Sequence, residues 1–163
     1  VFLQFALGEC WNWPAKPVHH LMVVAHLSAG IVLSAVMVLR IVWRLTKGRH
    51  LPDGSRPVSR VLALGVEYTL YALILAEIVL GYLWRWGGGQ AMGFFGVLIP
   101  PPFAHFRAAP LGWIHSVHDW NAWLIMALAI GHGMAALFHH FVLRDNILRR
   151  MQPSVCDVFR CEK

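Results

Sequence analysis

Two histidines, His118 and His132, stand fourteen positions apart inside an apolar run, residues 113–141, that is long enough to cross a bilayer. At 1.5 Å and 100° per residue, this spacing sets the imidazoles ~21 Å apart along a helix axis and within about 40° of one face. Ionisable side chains at such depth are costly and normally functional. Imidazoles in register, one near each leaflet, suit two stacked metal cofactors better than a single site. A third histidine, His26, lies roughly two turns inside another apolar run. Two imidazoles that face each other from neighbouring helices at equal depth form a bis-His axial pair. Such a pair holds haem as an electron-transfer centre with no open coordination position. For any one of these histidines a hydrogen-bonded packing role, a zinc site or a proton relay stays open.

The chain that must position these rings is 163 residues long, 58% hydrophobic and 13% charged, with a mean hydropathy of +0.56. That balance excludes an ordinary soluble domain and fits an all-α membrane bundle. Eight Trp suit membrane interfaces. A net charge of +6 would suit nucleic acid, but the basic residues flank apolar spans and so read as topology signals. Cys10, Cys156 and Cys161 form no CxxC pair, and the last two sit on a basic tail where a disulfide is not expected.

Three complete spans are predicted, about 18–45, 61–84 and 113–141, within a single membrane domain covering 1–163. Residues 1–8 are too short to cross and lack the charged start of a signal peptide, so they read as the outer end of a truncated first helix. A four-helix transmembrane bundle with that first helix incomplete is therefore expected. Arg44, Lys47, Arg49, Arg56 and Arg60 cluster after the first complete span, and further basic residues fill the tail. The positive-inside rule places both segments, and hence the C-terminus, in the cytoplasm. His26 and His118 then share the outer side, while His132 lies in the inner half. His115 rivals His118, but seventeen residues from His132 turn it about 100° off that face, so His118 is preferred. His19, His20, His105, His139 and His140 fall at span ends or in loops and read as interfacial. Gly30, Ala122 and Ala136 each follow one of the three intramembrane histidines by four residues, leaving room on the same face for a flat ring.

The run His118-Asp119, His132, His139-His140, then Leu143-Arg144-Asp145-Asn146 and Leu148, resembles the last helix of the bacterial cytochrome b561 family. His26 followed by Gly30 and Arg40 is similar to that family as well. The resemblance covers nearly the whole chain. It implies a four-helix, di-haem b membrane cytochrome that exchanges electrons with quinone, some members acting as superoxide oxidases. It further implies that His26 and His118 hold an outer haem. His132 would hold an inner haem with a histidine on the first helix, which this sequence does not contain. A second departure is Glu67, where a histidine is expected in many relatives.

Other residues carry chemistry with a bland rival beside it. Arg40, on the face of His26, would pair with a haem propionate or else snorkel to the cytoplasmic interface. Mid-membrane Glu77 reads as a hydrogen-bonded neutral acid, with a proton or quinone role as the rival. The loop 85–117, with Phe94, Phe95, Pro100 to Pro102 and Phe103, is expected to cap the outer haem and cradle a quinone, while Arg85 and Arg107 steer an anion inward. The expected function is a haem b electron carrier of the bacterial inner membrane, relaying electrons from an outer donor, superoxide among the candidates, to ubiquinone. Lipid and ubiquinone are its expected partners, nucleic acid is not, and a homodimer is left open. The alternative is the haem-binding anchor of a hydrogenase or dehydrogenase complex, and a haem-free ion transporter using Glu67 and Glu77 is a third class.

Overall fold

A helix in water must hide one face, whereas a helix in lipid can leave its apolar side chains outward and still satisfy its backbone. The computed structural model describes residues 1–13, 15–47 and 57–142. It contains helices α1 (Phe2–Cys10), α2 (Lys16–Lys47), α3 (Pro57–Gly87) and α4 (Ala108–Phe141), with a small hairpin, β1 (Met92–Phe94) and β2 (Val97–Ile99), before the last helix. The three long helices have 32, 31 and 34 residues. At 1.5 Å per residue they run roughly 46 to 51 Å, well beyond a ~30 Å hydrocarbon core. Windows within Lys16–Thr46, Val61–Gly87 and Ala108–Phe138 are long and apolar enough to cross a membrane. Leu21, Leu39, Val79, Leu124 and Ile130 are among the large apolar side chains left outward.

The elements are longer than the spans expected from sequence. α1 continues to Cys10, two residues past the expected remnant. α4 starts at Ala108 rather than residue 113, so the irregular 85–117 segment shrinks from its far end. Pro110 does not prevent this early start. It sits in the first turn, where backbone N–H groups have no intrahelical acceptor and a missing one costs nothing. Pro57 opens α3 in the same way. The basic segment 48–56 and everything after Val142, including Cys156 and Cys161, lie outside the described residues.

α3 ends in a glycine run that forms a Schellman cap. Gly89 adopts φ 72°, its N–H donates to the Trp86 carbonyl at 2.9 Å, and the Gln90 N–H donates to the Arg85 carbonyl at 3.2 Å. Where such caps usually carry an apolar contact, here Arg85 donates from Nη1 to Gln90 Oε1 and from Nε to the Ala91 carbonyl. A two-residue turn, Phe95-Gly96, both at positive φ, closes the hairpin with Phe94 opposite Val97. Ser28 on α2, only 1% exposed, anchors it: its hydroxyl accepts from the Phe95 N–H at 3.1 Å and points to the Gly93 carbonyl at 3.5 Å. Phe106 docks on Gly87, where its N–H meets the carbonyl at 2.8 Å and an added Cβ would lie 2.4 Å from the ring.

Helix packing is uneven. α3 lies along α4, and α1 along α2, whereas α2 meets α3 over a short stretch. Among the described residues the fully buried apolar side chains are Met37, Met92 and Ile125. The first strand of the hairpin touches both α2 and α3.

Candidate cofactor site

Between the two pairs lies a cavity of about 360 Å³, lined by residues from all four helices and from the loop after α3. Its size falls in the range of small-molecule and cofactor sites, ~300–1,000 Å³. Leu27, Ile31, Ile78, Ile125 and Met126 are among its apolar walls, and Arg85 and Gln90, bonded to each other, are among its polar lining. His26 enters from α2 and His118 from α4. The structure thus brings together the two histidines that sequence reasoning placed at equal depth.

Each imidazole is oriented by its Nδ1. For His26 that atom lies 3.1 Å from the Gln4 carbonyl, and Gln4 Nε2 donates back to the His26 carbonyl at 3.1 Å. Reciprocal bonds of this kind lock α1 to α2. Trp11 stands edge-on to the His26 ring, centroids 5.4 Å apart. His118 Nδ1 lies 3.1 Å from Glu77 Oε1, off the line of a full hydrogen bond, so this buried nitrogen has the distance but not the alignment of a completed one. Glu77 is fixed in turn, since its Oε2 accepts from Asn121 Nδ2 at 2.7 Å and the same nitrogen donates to the Leu73 carbonyl at 3.0 Å. With Nδ1 of both rings turned to oxygen acceptors, Nε2 is the nitrogen left for a metal.

Glycine opens space beside both rings. A Cβ at Gly8 would lie 3.6 Å from His26 Cε1, and one at Gly81 would lie 3.4 Å from His118 Cε1. Gly30 and Ala122, two of the small residues singled out in sequence, also line the cavity. Apolar walls, the Arg85 cation and two imidazoles in one lining fit a haem, which His26 and His118 would hold.

The other sequence candidates lie elsewhere. His115 sits at the rim, its ring 4.2 Å from that of Trp84 and its Nδ1 3.5 Å from Asp119. His132 is exposed on α4 and does not line the cavity. Arg40 is exposed, with Nε 2.5 Å from the Tyr71 hydroxyl and Cζ 5.6 Å from that ring's centre. One turn on, Arg44 pairs with Glu67 through two contacts, 2.5 and 3.2 Å, above Tyr68 and Tyr71. Of the irregular segment, Gln90 and Met92 reach the cavity, whereas Phe94, Phe95 and Pro100 to Phe103 do not. Gln4, Gly8, Gly81 and Asn121 were missed in sequence. Their only local signal is spacing, Gly81 one turn after Glu77 and Asn121 one turn after His118.

Comparison with known proteins adds a likeness over the whole bundle. Residues 1–154 match the family described as prokaryotic cytochrome b561. Cytochrome b561 homolog 2 of Escherichia coli (strain K12) is 33% identical over 127 residues, 77% of this chain and 68% of that protein. Cytochrome b562 of Cereibacter sphaeroides is 33% identical over 139 residues, 85% of this chain and 70% of that one. A probable superoxide oxidase of Yersinia pestis is 29% identical over 137 residues, 82% of this chain and 76% of that protein.

Proposed function

The chain belongs to the prokaryotic cytochrome b561 family, membrane proteins that carry electrons on haem b, and from that premise we propose that His26 and His118 are the axial ligands of one haem in the cavity between the helix pairs. The observation that carries this reading is the pair of inward imidazoles whose Nδ1 atoms both face oxygen acceptors, the arrangement that metal-ligating histidines adopt. When bound, haem supplies one-electron chemistry, and two axial imidazoles leave no position for oxygen at iron.

The chain's own residues do the rest. Gln4 and Glu77 orient the rings, the aliphatic walls keep water from the macrocycle, and Arg85, tied to Gln90 and the Ala91 carbonyl, offers a fixed cation to a propionate. His132 is a ligand of a second, inner haem, on the α4 face fourteen residues from His118. Arg40, fourteen residues after His26 on α2, serves its propionate. Arg44 and Lys47 at the end of α2 support a cytoplasmic location for that end, and so an outward cavity in the bacterial inner membrane.

The electron acceptor is ubiquinone, which takes up two electrons and two protons. Superoxide is the donor this reading favours, each anion giving up one electron and leaving as dioxygen. The relative from Yersinia pestis bears the name of a probable superoxide oxidase, and Arg85 in the cavity lining supplies an attraction for a small anion.

The test is the reduced-minus-oxidised spectrum with haem quantitation on the wild-type protein and His118→Ala. Loss of about one haem per chain in the variant is expected, because a bis-His centre needs both ligands. Unchanged haem content would refute the assignment.

A further inference from the structure

Carboxyl groups inside a membrane are expensive and need a reason. Glu77 has partners on the neighbouring helix. Both of its oxygens face α4: Oε1 lies 3.1 Å from His118 Nδ1, short of the alignment of a completed bond, and Oε2 accepts from Asn121 Nδ2 at 2.7 Å. Asn121 Nδ2 spends its second hydrogen on the Leu73 carbonyl, 3.0 Å away. Leu73 and Glu77 are one turn apart on α3, as His118 and Asn121 are on α4, so four positions form a closed square across the most extensive helix pair. The square also fixes which way the Asn121 amide points. Both neighbours are oxygen acceptors, so a flipped amide would set its own oxygen against them.

We propose that Glu77, held in place by Asn121, is the positioning residue for His118: it keeps the hydrogen on Nδ1, fixes the ring plane, and directs Nε2 into the cavity. This rests on the haem reading of the cavity and deepens it. The two ligands are not equivalent. His26 takes its orientation from the backbone carbonyl of Gln4, which no side-chain change removes. His118 Nδ1 has the Glu77 side chain 3.1 Å away, and an ionised carboxylate is a stronger acceptor than an amide carbonyl. A stronger acceptor on Nδ1 makes the imidazole a better electron donor to iron and favours the oxidised form. Glu77 therefore holds the haem potential below what two carbonyl-bonded histidines would give.

Three variants of the full chain test this, with equilibrium redox titration and the electron paramagnetic resonance spectrum of the ferric haem as readouts. Glu77→Gln keeps an oxygen acceptor of the same reach, so haem is retained. The ratio of reduced to oxidised haem at a fixed ambient potential should rise about tenfold, equivalent to about 59 mV for one electron, with shifted ferric g values. Asn121→Ala leaves Glu77 in place but unfastened and should move both readouts in the same direction by less. The double variant should match Glu77→Gln, because Asn121 acts only through the carboxyl. Wild-type potential and g values in Glu77→Gln overturn the proposal, and so do additive shifts in the double variant. Should Glu77→Gln fail to fold, wild-type readouts in Asn121→Ala overturn it alone. Failure of the haem reading itself looks different: His118→Ala would then keep its full haem content.

Discussion

Gly81 tests the cavity from the side of its wall. An added Cβ there would stand 3.4 Å from His118 Cε1, ordinary contact, so Gly81→Ala touches the ring without displacing it. The same change removes a glycine from the interior of α3, a gain of roughly 0.5–1 kcal/mol in helix stability. Alanine is therefore expected to keep full haem content and to raise the melting temperature slightly. Gly81→Leu sends three further carbons beyond that contact, toward a ring held on one side by Glu77 and on the other by Trp84, 6.0 Å between centroids. Overpacking of this kind costs about 1–3 kcal/mol, and at 1.36 kcal/mol per tenfold that weakens haem retention by roughly 5-fold to 150-fold. Haem per chain of the purified protein, measured beside its helix content, separates a blocked site from a misfolded one. Full haem content in Gly81→Leu, with the helices intact, would mean that the space beside His118 is not where the cofactor lies.

Two other positions carry predictions about the frame. Ser28→Ala removes the hydroxyl that accepts from the Phe95 N–H at a site 1% exposed; it should cost about 1–3 kcal/mol and speed amide exchange in 92–99 more than in α4. Equal exchange in both proteins would remove Ser28 as the hairpin's anchor. Gly89→Ala forces an L side chain to φ 72°, which costs about 1–2 kcal/mol. The variant in detergent should melt lower than wild type, and an unchanged melting temperature would show that the glycine is not what permits the cap.

Long apolar helices are the part of this molecule that sequence states most directly, because lipid asks for composition over length and little else. The equal depth of His26 and His118 was legible for the same reason: depth follows from counting residues once the direction of each span is known. Boundaries were harder. Pro110 looked like loop chemistry, yet a first turn tolerates proline as readily as a loop does. The hairpin escaped notice because its strands have three residues each, too few for alternation to rise above a Gly-rich and Phe-rich background. Glu77 was read as a hydrogen-bonded mid-membrane acid but its partners were not named, since they lie 41 and 44 positions away on another helix, and no local rule spans that distance. Gln4 is harder still: the group that orients His26 is its backbone carbonyl, which any residue would offer at that point.

The same geometry explains why so apolar a protein keeps so little of its apolar surface inside. Among the described residues, Met37, Met92 and Ile125 are the fully buried apolar side chains, and the contact between α2 and α3 is short. A bundle closed by interdigitating side chains would bring α2 against α3 and α4 along their length, and it would leave His26 and His118 pressed together or turned out to lipid. Here the polar bonds nearest the imidazoles sit within each pair, Gln4 with His26 in one and Glu77 with Asn121 in the other, so each imidazole takes its surroundings from its own half. The halves meet through Ser28 and the hairpin and, farther along α2, through Arg40 with Tyr71 and Arg44 with Glu67, and the cavity lies between them. Rigid halves with a gap between them suit a flat ligand gripped from both faces, because its position is set before it arrives and little ordering is left for binding to do. In this bundle stability within the pairs and space between them are separate provisions, and the chemistry belongs to the space.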